Sequence, residues 1–288
     1  MSRIAAVALA ALLAVPARAQ DDARRPPLFV VQDDDSRVYL LGSVHVLPAG
    51  ALPLPQHVEA AYDSASVVAF ELDLDVAQAG VAGMMASAVD EATVATALSD
   101  AQRDSLNAAL GALGLPSGAF DAFEPWFVAM TYGIVALQQS GLPVEAGGVD
   151  AYYFGRAKAD QKERVAFETV ELQTAAFDDL PTDVQVAYLM DTLTMSPDST
   201  AAFFGDMVDA WSGGDDARLA TLLDDGFNHP ALFDALLVAR NRAWIPQIES
   251  LLAREGETAL VVVGAGHLLG ESSVVDMLRQ AGYTVERL

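Results

Sequence analysis

The sequence predicts a mixed α/β fold: a mixed β-sheet built from N- and C-terminal segments, with flanking helices and a helical insertion. Three observations carry this. Short apolar runs of strand length stand at both ends of the chain and again near residues 67 and 165. The long stretches between them are punctuated in the manner of helices. No internal repeat or low-complexity tract interrupts the pattern.

Taken in order, Leu28–Gln32 reads as a strand, Asp33–Ser36 as a turn and Arg37–Gly42 as a second strand, so the pair forms a hairpin. Ser43–Pro48 leaves that strand as a loop, Pro55–Ser64 is a short helix, and Ser66–Glu71 is a buried strand ending in an acid. From Val76 to about Gly141 the pattern is helical, the insertion of the fold. Ser99 is an N-cap candidate there, and Pro125 sits where the first helical turn tolerates proline. Gly147-Gly148 breaks the chain before a helix over Val149–Ala159, and Arg164–Glu168 is a short strand, again closed by an acid. Helix dominates Thr169–Leu252, with breaks at Pro181, Pro197, Gly213-Gly214 and His229-Pro230. Thr258–Val263 is a strand, Gly264–Gly270 a loop, Ser272–Ala281 a helix and Tyr283–Leu288 a closing strand.

Composition narrows the function. Acids outnumber Lys and Arg by 40 to 16 over 288 residues, a formal charge of −24, and the only lysines are Lys158 and Lys162. Binding to nucleic acid or anionic lipid needs clustered cations, so neither is expected. With no cysteine, disulfides, iron–sulfur clusters, thiolate zinc sites and cysteine nucleophiles are excluded. Residues 1–19 have the layout of a signal peptide: Arg3, an apolar run from Ile4 to Val15, then Ala17-Arg18-Ala19 as a small-x-small site with cleavage after Ala19. That run is too short to span a bilayer. The expectation is a periplasmic or secreted protein without stable membrane insertion, with a flexible leader over residues 20–27 and one domain over 28–288.

Four histidines occur, His45, His57, His229 and His267, and two share a context. Gly42-Ser43-Val44-His45 and Gly264-Ala265-Gly266-His267 each follow an apolar strand with the spacing Gly-x-x-His. A glycine lets the chain turn off the strand end, and the histidine falls in the crevice where open α/β sheets bind ligands. Glu71 and Glu168 likewise close apolar runs. A carboxylate there is either partnered or part of a site, because burying it alone is costly. Two imidazoles with one or two carboxylates suit Zn, Mn, Co or Fe, and such an ion acidifies bound water. A metal-free His/Glu pair is the other route to general base catalysis. No His-Glu-x-x-His or Gly-x-Ser-x-Gly occurs. A dinucleotide fingerprint at Gly264–Gly270 is one residue too long, and the chain ends before the rest of a nucleotide-binding half. Arg240-Asn241-Arg242 offers either a surface helix or an anchor for a carboxylate.

These residues resemble the TraB/GumN family, which includes the Tiki proteins. The resemblance rests on Leu41–His45, Phe70-Glu71-Leu72-Asp73, Gly148-Val149-Asp150, Phe167-Glu168-Thr169 with Gln173, Arg240-Asn241 and Val263–Gly270. A helix and Gly282-Tyr283-Thr284-Val285 follow in the family's order, so the likeness runs from about Leu28 to Leu288. Phe167 departs from the family's usual Leu and leaves the acid in place. The resemblance implies a fold like that of erythromycin esterases and haem-binding ChaN-like proteins, and a metal-dependent protease site at His45, His267, Glu71 and Glu168, with Arg240 beside it.

The expected function is therefore an exported, peptidase-like metal-dependent hydrolase. His45, His267 and Glu71 would hold a divalent ion (Mn, Co or Zn). Glu168 would be general base or further ligand, and Arg240 would orient a peptide or small-molecule substrate or stabilise developing charge. The alternative is a non-catalytic periplasmic binding protein for a small ligand, haem or a peptide.

Overall fold

The structure is a computed structural model, described here for residues 23–288 apart from 34, 90–91 and 143–146. The expected signal peptide over residues 1–19 lies outside the described residues.

The strands are β1 (Leu28–Gln32), β2 (Arg37–Ser43), β3 (Val67–Phe70), β4 (Glu163–Ala166), β5 (Thr258–Gly264) and β6 (Val285–Arg287). The helices of the first half are α1 (Gln56–Ser64), α2 (Leu74–Ser87), α3 (Val94–Ala97), α4 (Asp100–Ala112), α5 (Pro125–Gln139) and α6 (Gly148–Ala159). Those of the second half are α7 (Val170–Asp178), α8 (Thr182–Thr192), α9 (Pro197–Gly213), α10 (Asp216–Asp225), α11 (Pro230–Phe233), α12 (Ala239–Leu252) and α13 (Val274–Gln280). The fold is thus mixed α/β, as its sequence predicts, and no helix among the described residues is long and apolar enough to cross a membrane.

The six strands form one mixed sheet in the order β4-β3-β5-β2-β1-β6. β4, β3, β5 and β2 are parallel, while β1 is antiparallel to both β2 and β6. Strands covered on both faces read as unbroken apolar runs. Leu41, Phe70, Leu260 and Val262 pack on one face with Tyr62 of α1, Tyr153 of α6 and Trp211 of α9. Leu40, Ala69, Val261 and Val263 pack on the other with Trp244 and Ile248 of α12 and Leu278 of α13. Burying each such side chain contributes roughly 1.5–3 kcal/mol, so this layered core dominates stability. The helices of the expected insertion share a further core with α8, in which Leu106 and Leu110 of α4 meet Val128 and Tyr132 of α5 and Leu189 of α8. Ser99 closes a capping box with Gln102 at the start of α4, and Pro125 opens α5.

Two boundaries differ from expectation for local reasons. At the end of the expected flexible leader, the Arg25 amide donates to Ser212 O at 2.7 Å, and Pro26 and Pro27 are buried. β4 ends at Ala166, yet its pairing outlasts it: Phe167 N donates to Phe70 O and Glu168 N to Glu71 O, each at 2.9 Å.

Because four strands are parallel, the residues that follow β2, β3, β4 and β5 gather at one edge of the sheet. The register pairs Gly42 with Val263 and Ser43 with Gly264, so the two Gly-x-x-His segments leave adjacent strands side by side. Trp211 pins the first of these ends by donating from Nε1 to Gly42 O at 2.8 Å. Gly148 brings α6 against the same loop: its φ is +59°, and Val149 N donates to Val44 O at 3.1 Å. A Cβ at residue 148 would lie 2.1 Å from Val44 O and 2.7 Å from His45 Cα. Gly148→Ala should therefore cost about 1–3 kcal/mol from backbone strain alone. Urea unfolding measures it, and an unchanged midpoint would show that the close approach is not required.

Candidate functional site

The crevice beyond the parallel strand ends collects His45, Glu71, Glu168 and His267, and α12 lays Arg240 across it. Each glutamate lies between a strand end and the N-cap of the next helix. Glu71 follows β3 and precedes Asp73, the N-cap of α2, whose side chain accepts from Asp75 N at 2.9 Å. Glu168 follows β4 and precedes Thr169, the N-cap of α7, whose hydroxyl accepts from Leu172 N at 3.3 Å. The pairing past the strand ends sets these two carboxylates next to each other, and their repulsion requires a cation.

Arg240 is that cation. Its Nε donates to Glu168 Oε1 at 2.9 Å and Oε2 at 3.1 Å, and Nη2 donates to Glu168 Oε2 at 2.9 Å and to Glu71 Oε2 at 2.7 Å. Nη1 donates to Leu236 O at 2.9 Å and lies 3.3 Å from His267 Nε2. Leu236 belongs to a π-helical turn, Asp234–Val238, that leads into α12. Such turns add a residue to the helix and recur at functional sites. Trp244, four residues on, faces the guanidinium at 5.1 Å and donates from Nε1 to Glu168 Oε1 at 2.8 Å.

Glu168 is thus fully engaged, each oxygen accepting two hydrogen bonds and its side chain only 7% exposed. That arrangement makes it the seat of Arg240. Glu71 is less enclosed. Its Oε2 also accepts from Gln173 Nε2 at 3.2 Å, and its Oε1 accepts from Gly264 N at 2.7 Å. Burial pushes the Glu71 carboxyl up, but the charges of a protonated His267 and Arg240, with the Gly264 amide, outweigh it and hold it down at about 2.

The two histidines share a motif and differ in setting. His267, on a 3-10 turn over Ala265–His267, is buried, with Nδ1 2.6 Å from Asn241 Oδ1. Asn241 Nδ2 donates to Ser272 O at 2.9 Å, so its oxygen faces the ring and Nδ1 carries the imidazole proton. The Nε2 lone pair is then left toward Arg240 Nη1 and Glu71 Oε1, the latter at 3.8 Å. Burial lowers His267 to about 4, so it is neutral near pH 7. His45 is 75% exposed, with Nδ1 3.0 Å from Asp150 Oδ2, and Asp150 Oδ1 accepts from Ser43 Oγ at 2.7 Å. The Asp150 contact raises His45 to about 9.

Five residues singled out in the sequence therefore meet at one sheet edge, and His57 and His229 do not join them; His229 caps α11 instead. Sequence reasoning assigned no role to Asp150, Asn241, Gln173 or Trp244. Three of these stood inside the quoted motifs, and Trp244 lies one helical turn from Arg240, a spacing that could have found it. The donor chemistry suits a borderline ion: both imidazoles have Nδ1 against an oxygen, the usual arrangement of a ligating histidine. Yet among the described residues no three His, Asp or Glu side chains stand close enough together to hold a metal. As arranged, the Arg240 guanidinium takes the space between Glu71, Glu168 and His267 Nε2.

Comparison with known proteins bears on this site. The protein YbaP of Escherichia coli strain K12 is 27% identical over 254 residues, covering 88% of this chain and 92% of its own, and the Shigella flexneri YbaP matches equally. A Metalloprotease TIKI homolog of Amphimedon queenslandica is 47% identical over 58 residues, 20% of this chain and 11% of its own. No solved structure matches the chain, so the likeness to erythromycin esterases and ChaN-like proteins stays an implication of the family resemblance. The model of the TraB/PrgY/gumN family matches residues 27–287, and the chain belongs to that family.

Proposed function

We propose that this protein is a peptidase-like hydrolase, exported by the segment over residues 1–19, whose site is the crevice formed by His45, Glu71, Arg240 and His267. The observation that carries the reading is the pair of Gly-x-x-His segments on adjacent parallel strands, each imidazole with Nδ1 against an oxygen. The similarity to a metalloprotease homologue over 58 residues favours the peptide-like substrate.

What the chain itself does there is hold and orient. Asp150 sets the ring of His45, Asn241 sets that of His267, and Arg240, Gln173 and Gly264 N keep Glu71 ionised and fixed. Two carboxylates against one guanidinium, beside a neutral His267, leave the cluster with net negative charge, which draws a cation into the crevice. Glu168, which accepts from Arg240 and Trp244, holds the guanidinium in place. A Mn, Co or Zn ion held by His45, His267 and Glu71 would supply an already acidified water and polarise the substrate carbonyl. Hydrolysis then adds water to the carbonyl carbon and returns a proton to the departing amine.

The position of Arg240 Nη1 against His267 Nε2 favours a second, metal-free reading, in which His45 and Glu71 act as the base pair. One experiment separates the two. Protein lacking residues 1–19 is assayed on a peptide library after chelation and after adding back Mn, Co or Zn. Chelation should abolish cleavage and an added ion restore it, with metal content falling in His45→Ala and His267→Ala. Activity that survives chelation selects the metal-free reading, and unchanged metal content in both variants removes the metal assignment. Asp150→Ala, which frees the His45 ring, should lower metal affinity or activity about 10–100-fold.

Arg240 is a positioning residue in either reading. Arg240→Ala leaves two adjacent carboxylates buried without their cation and should destabilise the fold by about 3–5 kcal/mol. Glu168→Gln in the same chain should recover part of that loss. Denaturant unfolding of the single and double variants checks both, and purely additive effects would show that the two side chains are not coupled.

A further inference from the structure

Beside the crevice lies an apolar cavity of about 190 Å³ between α2, α5 and α7. Its floor is Met84, Trp126, Met130 and Phe177, and its wall toward the site is Leu72 and Gln173. Leu72 is the residue after Glu71, and Gln173 donates to Glu71 Oε2 at 3.2 Å, so cavity and crevice share a wall. The floor is preset: Trp126 Nε1 donates to Asp178 Oδ1 at 3.1 Å, and its ring stacks on Phe177 at 5.8 Å and 22°. Of the eight large hydrophobic side chains exposed among the described residues, five sit on the two helices beside it: Leu74, Val76, Val81 and Met85 on α2, and Leu172 on α7. Of these, Val81 lines the cavity itself, and exposed apolar surface at a cavity marks a place where apolar matter binds.

The size of the cavity chooses the occupant. Pockets that take a whole small molecule run to about 300–1,000 Å³, so this one is too small for haem or a comparable ligand and suits a single side chain. Methionine thioethers and aromatic faces favour an aromatic or long aliphatic group. We infer that the cavity is a specificity subsite that takes a large apolar side chain of the substrate, Phe, Leu or Met, next to the bond held at Glu71. This rests on the hydrolase reading above, and deepens it by naming the substrate class.

The test separates the two claims. N-acetyl-phenylalaninamide and the amide of N-acetyl-aspartic acid are titrated against the whole protein by ligand-observed NMR, and cleavage of peptides differing in one side chain is measured in parallel. Ala77→Phe places a ring in the cavity, since Ala77 lines it on α2. The phenylalanine probe should bind and the aspartate probe should not, and Ala77→Phe should weaken the former at least about tenfold, the scale of a filled apolar pocket. Peptides with Phe, Leu or Met should be cleaved at least about tenfold better than those with Gly or Asp, a preference Ala77→Phe removes. Met130→Ala widens the cavity and should shift the preference toward Trp, which keeps the inference testable if Ala77→Phe does not fold. Equal binding of both probes, no binding of either, or a preference unmoved by both substitutions would overturn the subsite. Probe binding that Ala77→Phe abolishes, without hydrolysis of any peptide, would leave the subsite standing and remove the hydrolase.

Discussion

The site is organised by one guanidinium. Parallel pairing of β3 with β4 sets Glu71 and Glu168 side by side, and Arg240 lies between them with hydrogen bonds of 2.7 to 3.1 Å. Its charge is among the causes that hold the Glu71 carboxyl below the usual carboxylate range. Arg240 in turn depends on Leu236 O and on the Trp244 ring, so the π-turn and α12 must be seated on the sheet before the charges are compensated. Sheet register, helix seating and charge balance are therefore one constraint. Ion pairs of this kind give little net stability against an apolar isostere, and their role here is to specify the arrangement.

The two histidines show how position overrides motif. The same Gly-x-x-His spacing leaves His267 buried against Trp244, at a ring separation of 4.3 Å, and His45 open to solvent beside Asp150. Burial favours the neutral ring and the neighbouring carboxylate the charged one, so near pH 7 His267 is neutral, with Nε2 against Arg240 Nη1, and His45 carries a second proton. A cation entering between them would have to displace Arg240 Nη1 from His267 Nε2 and a proton from His45. The asymmetry is electrostatic, with no counterpart in the residue pattern.

The strands and their order along the chain were legible because both faces of the sheet are covered, which turns β2, β3 and β5 into apolar runs. The crevice was legible because a glycine and a polar residue follow those runs: Gly42 with His45, and Gly264 with His267. Glu71 and Glu168 stood out as lone acids at apolar ends, but their difference did not, since it comes from Trp244 and Arg240, over seventy residues downstream of Glu168. Asp150 reaches His45 only because Gly148 lets α6 abut the loop after β2, a contact between segments more than a hundred residues apart. The buried Pro26-Pro27 at the end of the expected leader was not legible for the same reason, since Ser212 holds Arg25 from α9.

The helical middle of the chain gains its meaning from a repeated local unit. β3–Glu71–α2 and β4–Glu168–α7 each run strand, acid, N-cap and helix, and the parallel strands lay the two helices together. Gly80 permits their closeness, because a Cβ there would meet Val170 at 2.7–2.8 Å. A pair of helices starting immediately after the two acids cannot move as a remote lid without disturbing Glu71, to which Gln173 of α7 is hydrogen bonded. The start of the insertion is accordingly a wall of the site. Gln173 stands in that wall, lining the apolar cavity on one side and holding the Glu71 carboxylate on the other.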